Sequence, residues 1–273
     1  MNRKNWKYRS STERRYAATL NQLTQQVELI AQRYSTLDGI LGALSVLAVS
    51  PDWRKFAQAA AMRMVSAVAG ENALTWREAA KQGGRAHEIH MLLKTEMRHS
   101  KAFNELIQTN AELITSMPSY VASGLTKHIA SETIAGKRAD ALLQEIRAAA
   151  PRLTEARAKL IARTEVAKTQ AAITQTRSQS LGLNFYHWET SSDQRVRSSH
   201  AHMQGVICSY LNPPSPEMLI DLPSVGCYNP GCIWNCRCFA ATVVDLDFES
   251  FPARMVQGNS IITVSKAQFL ALQ

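Results

Sequence analysis

From Tyr16 the apolar positions run Tyr16, Leu20, Leu23, Val27, Ile30, Tyr34 and Leu37. The steps alternate four and three, which is a helical seam over three heptads. The residues between are Gln, Thr, Asn and Arg rather than ordered Glu/Lys pairs. The helix is therefore expected to pack in a bundle, not in a free coiled coil, and to end at Asp38-Gly39. Pro51-Asp52 opens a second helix with Phe56, Ala60, Met64 and Val68 on one face, closed by Gly70. Another starts near Thr75 and breaks at Gly83-Gly84. A long stretch from Arg85 is stopped by Pro118, and two shorter helices, Val121–Ile134 and Ala139–Ala150, are separated by Gly136. Pro151 marks the next boundary, since an interior proline loses a helix hydrogen bond. A helix from about Thr154 to Leu181 carries Leu160, Ile161, Val166, Ala167 and Ile173 inward and ends at Gly182.

After Gly182 the texture changes. Asn184–Glu189 is aromatic-rich and predicts a strand. Thr190-Ser-Ser-Asp193 reads as a helix start, with the helix reaching roughly Met203 and Gly205 ending it. Val206–Tyr210 is a short strand. The segment 212–229 holds four of the nine prolines and predicts a loop. Cys236–Val244 is the clearest strand of the C-terminal part, and Ile261–Leu272 a short strand or helix in an otherwise weakly structured tail. The fold class is α+β: a mostly α-helical N-terminal region, then a small mixed α/β C-terminal module with a few short strands. The expected divisions are 1–150, 151–248 and a tail, 249–273.

Size and composition narrow this only a little. The chain has 273 residues and is 45% hydrophobic, enough for a core. No apolar run reaches bilayer length, and the basic N-terminus has no apolar segment behind it, so a soluble protein made in the cytoplasm is expected. The net charge of +9 is lopsided: residues 1–158 carry 22 Lys+Arg against 14 Asp+Glu, residues 159–273 carry 9 against 8. A basic first half suits nucleic acid or is simply a solvated helical surface. Only its first 15 residues, with Arg3, Lys4, Lys7, Arg9, Arg14 and Arg15, are dense enough for a DNA-binding arm.

Candidate chemistry lies in the C-terminal third. All five cysteines are there: Cys208, Cys227, Cys232, Cys236 and Cys238. An odd count without a secretory signal argues against a disulfide framework. Thiolates and imidazole bind zinc, and His200, Cys232, Cys236 and Cys238 would supply four ligands, with Cys227 as a substitute. Equally, the cysteines are small buried apolar residues. Asp193, Arg195, Arg197 and His200 follow one another closely, and on a helix 193, 197 and 200 would share a face. With Arg163, Glu165, Asn235 and Arg237 they would form a structural polar network, a reading preferred to a catalytic dyad. Ser198 and Ser199 adjoin His200, but no nucleophile elbow surrounds them. His87-Glu-Ile-His90 lacks the zincin spacing, Gly83-Gly84 lacks the residues of a phosphate loop, and His99, His128, His187 and His202 have no evident partners.

Arg163-x-Glu165, the aromatic strand ending in Trp188, Asp193-x-Arg195-x-Arg197-x-x-His200, Gly205, Pro230-Gly231 and Asn235-Cys-Arg-Cys238 occur in that order. Over roughly residues 120–245 the chain thereby resembles the phage Mu protein F-like family of head morphogenesis (minor capsid) proteins. Cys227 and Cys232 look like additions to the family pattern. The resemblance implies a virion component of the capsid interior, assembled in the host cytoplasm, with portal, scaffold or major capsid protein and double-stranded DNA as partners. It implies no membrane, no small-molecule substrate and no catalysis. Residues 1–150 would be the variable portal- or DNA-contacting region, and structural Zn2+ the one cofactor to expect. Two other readings are an enzyme-like module, nuclease or ADP-ribosyltransferase, using Asp193, Arg197 and His200, and a zinc-stabilised DNA-binding protein.

Overall fold

A computed structural model describes residues 3–82, 84–96, 101–134 and 139–272. The expected breakers Gly83 and Gly136, and His99, lie outside the described residues. The α+β expectation holds: a helical N-terminal region precedes a C-terminal five-stranded mixed sheet. The chain divides into two compact units, each discontinuous in sequence.

The helical unit comprises residues 10–65 and 99–165. Its first helix, α1 (Ser10–Arg33), buries Tyr16, Leu20, Leu23, Val27 and Ala31. Ala31 replaces the expected Ile30 because an unsupercoiled helix turns every 3.6 residues, so the seam drifts from a strict heptad. Asp38-Gly39 does not end α1. They sit in the first turn of α2 (Leu37–Val49), where the Thr36 hydroxyl caps the helix by accepting from the Gly39 N–H at 3.1 Å. Next comes α3 (Pro51–Gln82), which runs through Gly70 instead of closing there. A helix-interior glycine costs only about 1 kcal/mol, and the buried residues on both sides of it, Met64, Val65, Val68 and Trp76, hold the helix together. The long stretch expected from Arg85 is divided into α4 (Ala86–Thr95) and α5 (Lys101–Thr115). Pro118 then lies in the first turn of α6 (Met117–Ile134), where its missing N–H has no intrahelical partner to lose.

The other revised boundary is Pro151. It lies inside α7 (Ala139–Ser180), a single helix of 42 residues. Ile146, Ala150, Thr154 and Ala158 are buried around it, so packing outweighs the lost backbone bond. Gly182, at φ +70°, ends α7, and the Leu183 N–H returns to the Ser178 carbonyl at 2.9 Å.

The sheet-bearing unit comprises residues 1–9, 66–98 and 166–273. Its strands are β1 (Phe185–Glu189), β2 (Val206–Ser209), β3 (Phe239–Thr242), β4 (Ala253–Gln257) and β5 (Ser260–Val264), in the order β3-β1-β2-β4-β5. β1 pairs antiparallel with β2 and β3, so that Trp188 lies opposite Val206 and Ala240. The supposed tail, 249–273, is not weakly structured. It supplies the β4–β5 hairpin, joined to β2 in parallel, and α9 (Lys266–Leu270), whose Ser265 and Gln268 form a capping box.

Period-two alternation in β1 assigns the two faces of the sheet. Tyr186 and Trp188 enter a core with Met203, Val206, Cys208, Tyr228, Cys236 and Cys238. His187 and Glu189 face the other way. On that side Trp6, from the short turn Arg3–Trp6, packs edge-on against Trp76 at 4.9 Å, next to Phe239 and Ala241.

Candidate metal centre

The sheet carries the site through Trp188. Its buried ring lies edge-on to His200, 5.3 Å between centroids, and His200 belongs to a short helix, α8 (Ser198–His202). The helix expected to start at Thr190-Ser-Ser-Asp193 begins only at Ser198. Asp193 is instead spent on a turn, its carboxylate accepting from the Arg195 N–H at 2.9 Å, and Ser192 has φ +56°. A short aspartate able to bond its own backbone two residues on favours such a turn over a helix interior.

This relocation separates the expected network. Asp193 is exposed and takes a bidentate bond from Arg237, at 2.5 and 2.6 Å. The Arg195 backbone N–H and then the Arg237 guanidinium hold its carboxyl below the usual carboxylate range. Arg197 is exposed and donates to the Trp234 carbonyl at 2.9 Å. Arg195 and Asn235 are exposed as well. Arg163 pairs with Glu13 within the helical unit, where Glu165 is buried. Of the expected members only His200 is both buried and at the centre of a polar cluster.

Sequence reasoning missed the partners of His200. Tyr228 donates its hydroxyl proton to Glu217 Oε1 at 2.7 Å, and Ser199 donates to the same oxygen at 3.1 Å. With its proton so committed, Tyr228 accepts from His200 Nε2 at 2.9 Å. That bond places the neutral imidazole proton on Nε2 and leaves the Nδ1 lone pair free. Nδ1 faces Cys238 Sγ at 3.4 Å and Cys236 Sγ at 3.6 Å. The three ligand atoms lie within 4.8 Å of one another, all on buried residues, and form a cluster able to hold a metal ion. Nδ1 has one lone pair, so it cannot accept a good hydrogen bond from both thiols at once. Glu217 and Tyr228 both lie in the segment 212–229, whose prolines predict a loop and single out neither residue.

Both sulfurs have further support. The Gly231 N–H donates to Cys236 Sγ at 3.4 Å. Gly231 has φ +92°, and a Cβ there would lie 3.1 Å from the Ala167 carbonyl oxygen and 3.3 Å from that of Cys238, so only glycine fits. Cys236 is lowered chiefly by a hydrogen bond from the Cys238 thiol, while Cys238, giving that bond, is raised.

The structure brings together three of the four expected ligand residues, His200, Cys236 and Cys238. Cys232 is half-buried and outside the cluster, and burial pushes its thiol up to about 11. Cys227 is exposed and Cys208 is buried beside Tyr186. A cleft of about 80 Å³ opens beside the three, lined by His200, Cys236 and Cys238 together with Arg195, Arg197 and Arg237.

The N-terminal arm is likewise partly folded in. Arg3 pairs with Glu249 at 3.0 Å and Glu189 at 3.5 Å. Lys4, Lys7, Arg9, Arg14 and Arg15 are exposed, with Arg14 and Arg15 on α1. His187, with no evident partner in the sequence, bonds Glu249 at 2.7 Å, and His128 lies 3.5 Å from Glu145. No described helix is long and apolar enough to cross a membrane.

Residues 123–241 match the family model of the phage Mu protein F like protein. The chain carries a Mu protein F-like region. This region takes in His200, Cys236 and Cys238 and ends within β3. The chain is also 31% identical over 158 residues to an uncharacterized protein of Haemophilus influenzae, an alignment covering 58% of this chain and 33% of that protein. It therefore spans about a third of the relative's length. No solved structure matches the chain.

Proposed function

We propose that this protein is a minor head protein of a double-stranded DNA phage. In this reading it acts in head morphogenesis, inside the capsid, through contacts with portal, scaffold or major capsid protein and with packaged DNA rather than by catalysis. The observation that carries it is the Mu protein F-like match over residues 123–241. The exposed cations Lys4, Lys7, Arg9, Arg14 and Arg15 support a DNA contact, with Arg3 withdrawn by its carboxylate partners.

Structural zinc at His200, Cys236 and Cys238 belongs to the same reading. Zinc–sulfur and zinc–nitrogen bonds of about 2.3 and 2.05 Å, at the tetrahedral angle, imply a nitrogen–sulfur edge of about 3.6 Å. The edges here are 3.4 and 3.6 Å. The Nε2–Tyr228–Glu217 chain is the carboxylate-backed support that zinc-ligating histidines use to fix tautomer and ring orientation.

Deleting the gene from the phage genome that encodes it, with complementation, tests the function. Loss of filled heads on deletion, together with the protein in purified particles, is the expected result. Normal infectious heads and particles free of the protein would overturn it.

A further inference from the structure

Three protein ligands leave one corner of a tetrahedral site open, and metal sites of that kind exchange a ligand there. The surroundings of the cluster are unequal. Trp188 and Tyr228 wall one side with buried aromatic rings, and the Gly231 backbone closes over Cys236. The remaining side is the cleft, where Arg195, Arg197 and Arg237 stand beside the ligand residues.

Charge decides what that cleft accepts. A divalent ion and two thiolates sum to zero. The three guanidiniums add +3 and Asp193, bound to Arg237, returns −1, leaving +2 around a space of about 80 Å³. That volume is well below the roughly 300–1,000 Å³ of ordinary small-molecule pockets, so it suits one compact group. Arg195 matters most. Its side chain is exposed, and among the described residues its guanidinium has no hydrogen bond or ion pair, unlike those of Arg197 and Arg237. A planar guanidinium free to make two parallel bonds is matched to a phosphate or carboxylate. The excess of two positive charges selects the dianion.

We propose that the metal site is completed by a phosphate dianion, which takes the fourth coordination position and is held by Arg195 and Arg197. The inference rests on the zinc reading above. The group would be free phosphate or the terminal phosphate of a nucleic acid strand. Trp234, 74% exposed and next in sequence to the cleft residue Asn235, offers an aromatic surface on which a terminal base would stack.

Full-length protein loaded with Co(II) in place of zinc tests this, because the visible absorption of Co(II) reports its ligands. Inorganic phosphate is expected to change the spectrum saturably, and acetate is expected not to. Arg195→Ala should weaken phosphate binding at least tenfold with metal content and melting temperature unchanged. An oligonucleotide bearing a 5′-phosphate, tested against the same strand without it, assigns the source. A response to the phosphorylated strand points to a nucleic acid end, and a response to inorganic phosphate alone points to the free ion. A Co(II) spectrum that ignores every phosphate, or answers acetate as strongly, overturns the phosphate site while leaving the metal in place. A chain that binds no Co(II) overturns the metal reading itself, and the phosphate site with it.

Discussion

Arg177 is 2% exposed, and all three of its guanidinium nitrogens are hydrogen-bonded. Its guanidinium donates to both Glu96 oxygens, to Asn72 Oδ1 at 2.7 Å and to the Ala69 carbonyl at 3.2 Å. Truncating one partner of such a buried pair leaves the other charge uncompensated, at about 3–5 kcal/mol. Arg177→Ala is therefore expected to lower unfolding free energy by that amount in a denaturant titration. Glu249 gives a pH dependence. Burial works to raise its carboxyl, but the hydrogen bond to His187 and the charges of His187 and Arg3 outweigh it and hold it low. A carboxyl depressed in the folded state contributes stability at pH values above its unfolded value of about 4.3. That stability is lost as pH falls through the lower, folded value. Acid titration of Glu249→Gln should accordingly show a shallower loss of stability below about pH 4 than the parent chain. An unchanged acid limb would remove Glu249 from the contact.

At the scale of elements, Pro151 is the clearest departure from local rules. A proline in a helix interior costs about 3 kcal/mol relative to alanine, and here it sits in the interior of α7, about three turns from its start. Pro151→Ala should raise stability by about 1–3 kcal/mol, checked by thermal melting. The same case shows how far the sequence can be read. Helical periodicity and the aromatic run of β1 were legible because each element carries its own pattern. The extents of α3 and α7 were not, because Gly70 and Pro151 break helices locally and are overruled by the buried side chains around them. β4 was missed since its two most apolar residues are adjacent, Met255 buried on one face and Val256 half-buried on the other, so no alternation shows in so short a strand. At the site, the residue types His, Cys and Cys were readable. Their number and their support were not. Asp193 prefers its turn to a helix, Cys232 falls outside the cluster, and Tyr228 and Glu217 come from a loop whose path no local signal specifies.

At the scale of the whole molecule, a sequence boundary near residue 150 does not coincide with either compact unit. The sheet-bearing unit draws on residues 1–9 and 66–98 as well as 166–273. Trp6 and Trp76 cover the sheet at Phe239 and Ala241, Gln170 bonds the Trp6 carbonyl at 2.8 Å, and Glu96 and Asn72 satisfy Arg177. A chain reduced to residues 151–273 would expose those apolar surfaces and strand that arginine. It is expected to lack a cooperative melting transition, whereas the full chain should show one. A sharp transition in the fragment would mean that the N-terminal segments are dispensable to the sheet.

The proposed zinc between His200, Cys236 and Cys238 would tie together the sheet core of the Mu protein F-like region. Elemental analysis of the purified full-length protein, beside the Cys236→Ser, Cys238→Ser double variant, tests this most directly. One zinc per chain is predicted for the parent. Its loss in the variant should come with a lower melting temperature. A parent chain free of metal, with Cys236 and Cys238 both titratable as thiols and a melting temperature equal to that of the variant, would contradict it.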